Sequence, residues 1–196
     1  MLFAAGDLRR YAGENKMKQS RMCFLLVIAF LLSGCMALVP QGYVPITSQK
    51  DENFYVKYDE FKDVSFVRHK YFFGIYADEP IAIYEVKDKN LRVVFKYHGS
   101  DWIFFENVTL INSSGNKSVF EFKTYDKTTD VGSGGIVYES IDLYLSDSEA
   151  KKILNTLSAP GNKKVRLSGK YYKDYVLDSP KILALTQIID HYFNSK

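Results

Sequence analysis

Three histidines, two cysteines and a few paired carboxylates are the residues of this 196-residue chain whose types bear on chemistry. His69, His98 and His191 lie far apart, and none has a second ligand at the i, i+4 spacing of an HExxH helix, so no metal is expected. His69, inside Arg68-His69-Lys70, reads as a solvated turn residue. His191 reads as a cation near the C-terminal end of the last helix, where it complements the helix dipole. The pairs Asp59-Glu60 and Asp78-Glu79 are adjacent, and neighbours on a strand point to opposite faces, so neither is a ready acid–base dyad; each reads as a solvated turn. Asp126 to Asp130 lacks the ligand density and the glycine of an EF-hand loop. Val131-Gly132-Ser133-Gly134-Gly135 has Val where a nucleophile elbow needs Gly, and no Gly-Lys-Ser/Thr follows as in a phosphate loop. It reads as a hairpin loop with room to serve as a binding edge. Local spacing therefore supplies no catalytic residue. A binding protein is the leading reading, and a small hydrolase with dispersed Asp, Glu and His residues is the alternative.

Cysteine placement is more informative. Met17-Lys18-Gln19-Ser20-Arg21 is basic, Met22 to Leu32 is unbroken apolar sequence, and Leu32-Ser33-Gly34-Cys35 follows. A positive segment, a short apolar core and small residues before a cut form the plan of an export signal. The last four residues resemble the lipobox of bacterial lipoprotein precursors. The resemblance implies that a diacylglycerol is attached to the Cys35 sulfur and that a dedicated signal peptidase recognises Leu32, Ser33 and Gly34. It also implies cleavage before Cys35 and acylation of the new amino group. A thiolate is the nucleophile such a thioether requires. These covalent acyl chains are the only prosthetic groups expected; no cofactor is. Met36 stands where an inner-membrane lipoprotein of the best-known pattern carries Asp, so the resemblance implies an outer-membrane protein facing the periplasm. The alternative is a membrane-spanning anchor, because Met22 to Val39 carries no charge and approaches the length needed to span a bilayer. Ser33-Gly34 interrupt that run. Since Met17 opens a complete signal, residues 1–16 are expected to be an upstream extension.

Removing the leader changes the electrostatics. It holds five basic residues (Arg9, Arg10, Lys16, Lys18, Arg21) and two acidic ones (Asp7, Glu14), so the chain's +3 becomes a balance of 21 against 21. A neutral domain has no overall attraction for phosphate backbones, which argues against nucleic acid as a partner. Cys23 leaves with the leader and Cys35 takes the lipid. Disulfides, cysteine-based zinc sites and a cysteine nucleophile are thereby excluded from the rest.

The elements that would position any site follow from periodicity. The chain is 46% hydrophobic and 15% aromatic, too apolar for disorder and rich in strand formers. Residues 35–53, with two prolines and little periodicity, read as a tether, within which Val44 to Thr47 could form an edge strand; residues 54–196 read as one domain. Period-two segments are expected at 54–58, 64–68, 71–76, 81–86, 91–98, 102–106, 108–111, 118–125 and 136–145. In the last, Glu139 is the one polar residue on the face of Val137, Ile141, Leu143 and Leu145. Ser146-Asp147-Ser148-Glu149 is a capping box that opens a helix with an Ala150, Ile153, Leu154, Leu157 stripe. A hairpin over 164–177 and a helix from Asp178 or Ser179 to about Phe193 complete the chain, the helix facing inward through Ile182, Leu185, Ile188, Ile189 and Tyr192. The class is α+β: an antiparallel meander or sandwich-like sheet, then helix, β-hairpin and helix.

Runs of consecutive aromatics exceed what alternation requires, so some must face outward. Tyr71, Phe72, Phe73, Trp102, Phe104, Phe105, Tyr171 and Tyr172 form the candidate binding surface. A protein, a glycan or a lipid of the cell envelope is the kind of partner such a surface takes. The competing reading is that the helices and loops cover both sheet faces.

Overall fold

The computed structural model describes residues 39–47, 51–73, 79–87, 90–123 and 126–195. Leu32, Ser33, Gly34 and Cys35, with the rest of the leader, lie outside the described residues.

Alternation sets the strands and short polar turns connect them. β1 (Val44–Pro45), β2 (Phe54–Asp59), β3 (Val64–His69), β4 (Ile81–Val86) and β5 (Asn90–Gly99) pair in sequence order, all antiparallel. Between β2 and β3, Asp59 Oδ1 accepts the amides of Phe61 and Lys62 at 3.1 and 3.2 Å, and Asp63 takes a left-handed φ of 49°, which a short polar side chain tolerates. β9 (Val137–Leu145) pairs with β5, and β8 (Thr128–Val131) closes the far edge, giving a seven-stranded sheet ordered β1-β2-β3-β4-β5-β9-β8. β6 (Asn107–Asn112), β7 (Lys117–Glu121), β10 (Lys163–Ser168) and β11 (Tyr172–Leu177) form a second antiparallel sheet, β11-β10-β6-β7.

Two helices complete this α+β domain. α1 (Asp147–Ser158) starts at the capping box: Glu149 N donates to Ser146 Oγ, and Ser146 N donates back to Glu149 Oε2 at 2.8 Å. α2 (Ser179–Asn194) starts where Asp178 Oδ1 accepts Lys181 N at 2.8 Å, with Pro180 in the first turn. Ala150, Ile153 and Leu157 of α1 and Leu185, Ile188, Ile189 and Tyr192 of α2 are buried against the sheets. Phe95 of the large sheet and Phe120 of the small one meet inside that core, ring centroids 5.1 Å apart.

The structure corrects several expectations. Where an antiparallel meander or sandwich-like sheet was expected, the strands form two antiparallel sheets, because β6–β7 pairs with the hairpin β10–β11 rather than with β5. Within the expected tether, the edge strand allowed for at Val44 to Thr47 is present over Val44 and Pro45, which pair with Val56 and Tyr55. The strand expected at 71–76 is instead a helical turn at Lys70–Phe72, capped by His69 Nδ1, which accepts Tyr71 N at 3.1 Å; 74–76 lie outside the described residues. The strand expected at 102–106 is irregular, because the amides of Ile103, Phe104 and Phe105 bond to a side chain and only Glu106 N reaches a neighbouring strand, at Ser168 O. The segment at 118–125 pairs only as far as Glu121. β8 was not foreseen: all four of its residues are exposed, so it lacks apolar alternation.

Candidate functional site

The inner face of the large sheet runs Ile81, Ile83, Glu85 along β4, two apolar residues and then a carboxylate. Glu85 is 3% exposed and sits opposite Val67 of β3. A buried carboxylate needs a donor, and α2 provides one: His191 Nδ1 stands 2.9 Å from Glu85 Oε2. The carboxylate can only accept, so Nδ1 carries the proton and Nε2 faces the other way, 3.8 Å from Asp51 Oδ1. The Phe54 ring, 4.6 Å from the imidazole by centroids, packs beside it. Residues 51, 85 and 191 are thus brought together by the pairing of β2, β3 and β4 and the packing of α2 across them.

Two cavities meet at His191. One, about 640 Å³, has an apolar wall of Pro45, Ile46, Val56 and Val67, with Glu85, Lys87, Tyr192 and Ser195 completing it. The other, about 650 Å³, is polar and is lined by Asp51, Asn53, Gln187, Asp190 and Asn194 beside Phe54. Volumes in this range hold a small ligand. The arrangement has room for an amphipathic group, with an apolar wall on the sheet side and hydrogen-bonding atoms at the Glu85–His191 end. An imidazole oriented by a carboxylate at one nitrogen can also exchange a proton at the other.

His69 borders this region and is not the solvated residue its neighbours suggested. It is buried; Nδ1 accepts Tyr71 N, so Nε2 bears the proton and donates to Gln187 Oε1 at 2.8 Å. Burial pushes this imidazole below its ordinary value, against the opposing effect of the Gln187 bond. His98 is exposed beside Tyr138. Glu79 is also less solvated than its pairing with Asp78 suggested: it bonds to Lys181 Nζ at 2.6 Å, while Asp78 lies outside the described residues. No group of three or more metal-ligating side chains occurs among the described residues.

The aromatic surface is divided by the fold. Phe72, Phe73 and Phe105 are core residues, which removes them from any binding face. Tyr71 is half-buried, its hydroxyl donating to Glu79 and Asp178. Trp102, Phe104, Tyr171 and Tyr172 remain at the surface; the last three are 45%, 56% and 65% exposed and Trp102 is half-buried. Trp102 and Phe104 stack at 6.2 Å, and Tyr171 N donates to Ile103 O at 3.2 Å, tying the β10–β11 turn to this segment. Gly169 is required there, since a Cβ would overlap the Phe104 carbonyl.

What holds this segment is Glu139, fully buried in β9. Its Oε1 accepts Ile103 N and Phe104 N at 2.8 Å each, and its Oε2 accepts Phe105 N at 3.1 Å and Lys127 Nζ at 2.5 Å. Three successive amides wrapped on one carboxylate require a tight bend, and Phe104 adopts a left-handed φ of 53°. Glu85, Asp51 and Lys127 escaped the sequence reading. For Glu85 a signal existed: a carboxylate in step with Ile81 and Ile83. No protein-family model, curated protein or solved structure matches this chain.

Proposed function

We propose that this chain is a lipid-anchored protein of the bacterial cell envelope, held at the outer membrane through acylated Cys35, whose α+β domain binds an envelope partner in the cleft between the large sheet and α2. The observation that carries the binding reading is the apolar-walled cavity of about 640 Å³ that ends on the buried Glu85 and its half-buried partner His191. An amphipathic segment of a protein, a glycan with an apolar face, or a lipid has the chemistry for it. The exposed Phe104, Tyr171 and Tyr172, with the half-buried Trp102, are a second contact surface, in the segment held by Glu139. Filling the cleft tests this reading: Val56→Trp should abolish binding of peptide, glycan and lipid probes in a thermal-shift panel, while Trp102→Ala leaves cleft binding intact. Probes that raise the melting temperature of Val56→Trp as much as that of the parent would place binding elsewhere.

The second reading, a small periplasmic hydrolase, is favoured by one observation. Glu85, His191 and Asp51, dispersed in sequence, converge beside a cavity with His191 Nε2 turned toward Asp51. Ester or amide turnover lost in His191→Gln would establish it, and its absence in the parent chain would remove it.

A further inference from the structure

The outer face of the large sheet carries a row of directly opposed residues that alternates tyrosine and arginine. Tyr55, Arg68, Tyr84, Arg92 and Tyr144 stand on β2, β3, β4, β5 and β9, each the register partner of the next. The guanidinium of Arg68 lies over the Tyr84 ring at 5.0 Å and that of Arg92 over Tyr144 at 4.0 Å. Tyr43, just before β1, adds a second ring to Arg68 at 5.8 Å, so its guanidinium is held between two aromatic faces.

Of the three arginines among the described residues, two come with an aspartate. Arg92 donates Nε to Asp142 at 2.8 Å; Asp142 sits two residues before the opposing Tyr144. Arg166 lies over Tyr172 and donates Nε and Nη2 to Asp174, both at 2.6 Å. Arg68 has the tyrosines and, among the described residues, no acid. Among the described residues it makes no hydrogen bond and no ion pair, and its Nε is sealed from solvent without an acceptor. The position that corresponds to Asp142, two residues before the opposing Tyr84, is the half-buried Ala82. A guanidinium has a planar fork of donors that matches two oxygens of one oxoanion, and a buried N–H without an acceptor in a native protein calls for a partner. Lys57 Nζ, 5.8 Å from the same Tyr43 ring, adds a second cation to the neighbourhood.

We propose that Arg68 is a binding site for an oxoanion, a carboxylate or a phosphate group, which takes over Ala82 the place that Asp142 holds for Arg92. The anion lies in the plane of the guanidinium between the Tyr43 and Tyr84 rings, and the rings confine it to that plane. The site is on the opposite face of the sheet from the Glu85–His191 cleft and stands independently of it.

The test follows the arginine Nε–H signals of the purified full chain by NMR, titrating sodium phosphate and, separately, sodium acetate at constant ionic strength. The Arg68 signal should shift to saturation while those of Arg92 and Arg166, already bonded to aspartate, stay in place. A response to phosphate alone or to acetate alone supports the site and fixes the class of anion. Ala82→Asp supplies the acid internally, so its Arg68 signal should start near the bound position and no longer titrate. Arg68→Lys keeps the charge and loses the fork, and should weaken binding about tenfold, as for one charge-assisted hydrogen bond. A shift shared by Arg68, Arg92 and Arg166, an equal response to chloride, or undiminished titration in Ala82→Asp would overturn the proposal.

Discussion

Replacing Glu139 by glutamine changes one atom and is expected to unsettle a whole end of the domain. Four donors converge on its carboxylate: the amides of Ile103, Phe104 and Phe105, and the Lys127 ammonium. The two charged side chains are 0% and 2% exposed, so water cannot substitute for a lost partner. In Glu139→Gln the amide oxygen can still accept from Ile103 and Phe104, but the NH2 group then faces Phe105 N–H and an unneutralised Lys127. Breaking one side of a buried ion pair costs about 3–5 kcal/mol, a large part of the ~5–15 kcal/mol that holds a domain together. At ~2–4 °C per kcal/mol for a domain of this size, the melting temperature should fall by roughly 6–20 °C. Lys127→Met should cost less, because three amides continue to satisfy the carboxylate. Thermal and urea unfolding followed by circular dichroism gives both values, and the double variant gives their coupling, expected at ~1–3 kcal/mol. Trp102, the chain's one tryptophan, reports on the segment by its emission, which should move toward that of a solvated indole. A Glu139→Gln protein within about 1 kcal/mol of the parent, the worth of an ordinary hydrogen bond, and with unchanged emission would refute this reasoning.

Stability should also respond to pH through His69. Its folded pKa lies below the ordinary 6.5 because burial disfavours the cation. The unfolded chain therefore takes up the proton first as pH falls. The contribution is complete above 6.5 and declines below it until the folded pKa is passed, with a slope of at most ~1.4 kcal/mol per pH unit. Comparing the unfolding free energies of parent and His69→Gln across this range checks the sign: the parent's advantage should shrink toward acid, and growth of that advantage would contradict the assignment. In the core, Leu185→Ala and Ile189→Ala each remove a fully buried side chain of α2 and should cost ~2–5 kcal/mol in urea unfolding; a loss below ~1 kcal/mol would mark α2 as an appendage.

Periodicity revealed the strands and helices wherever one side chain in two, or one stripe of a helix, faced the core. The capping box at Ser146–Glu149, the Asp178 cap and the stripe through Leu185 and Ile189 were visible because each is a local device, complete within a few residues. Errors arose where a distant side chain took the backbone's hydrogen bonds. Trp102 to Glu106 has the composition of a strand, but the Glu139 carboxylate, in a different strand, claims three of its amides. The sequence held half of that fact: Glu139 stood out as the one polar residue on an apolar face, with nothing nearby to say what it bonds. The Glu85–His191 pair is harder to read, since its partners lie 106 positions apart and meet only after α2 packs on β4. The aromatic runs misled for a related reason. Consecutive aromatics require two faces, but the fold covers both around Phe72, Phe73 and Phe105.

The anchor at Cys35 is the claim on which the cellular role rests, and metabolic labelling tests it most directly. Cells making the parent chain or Cys35→Ser are grown with labelled palmitate, and the protein is isolated and sized. Label on the parent, together with an unlabelled and uncleaved Cys35→Ser chain, is the predicted result. Equal label on both chains, or cleavage that proceeds without the cysteine, would contradict the lipid anchor.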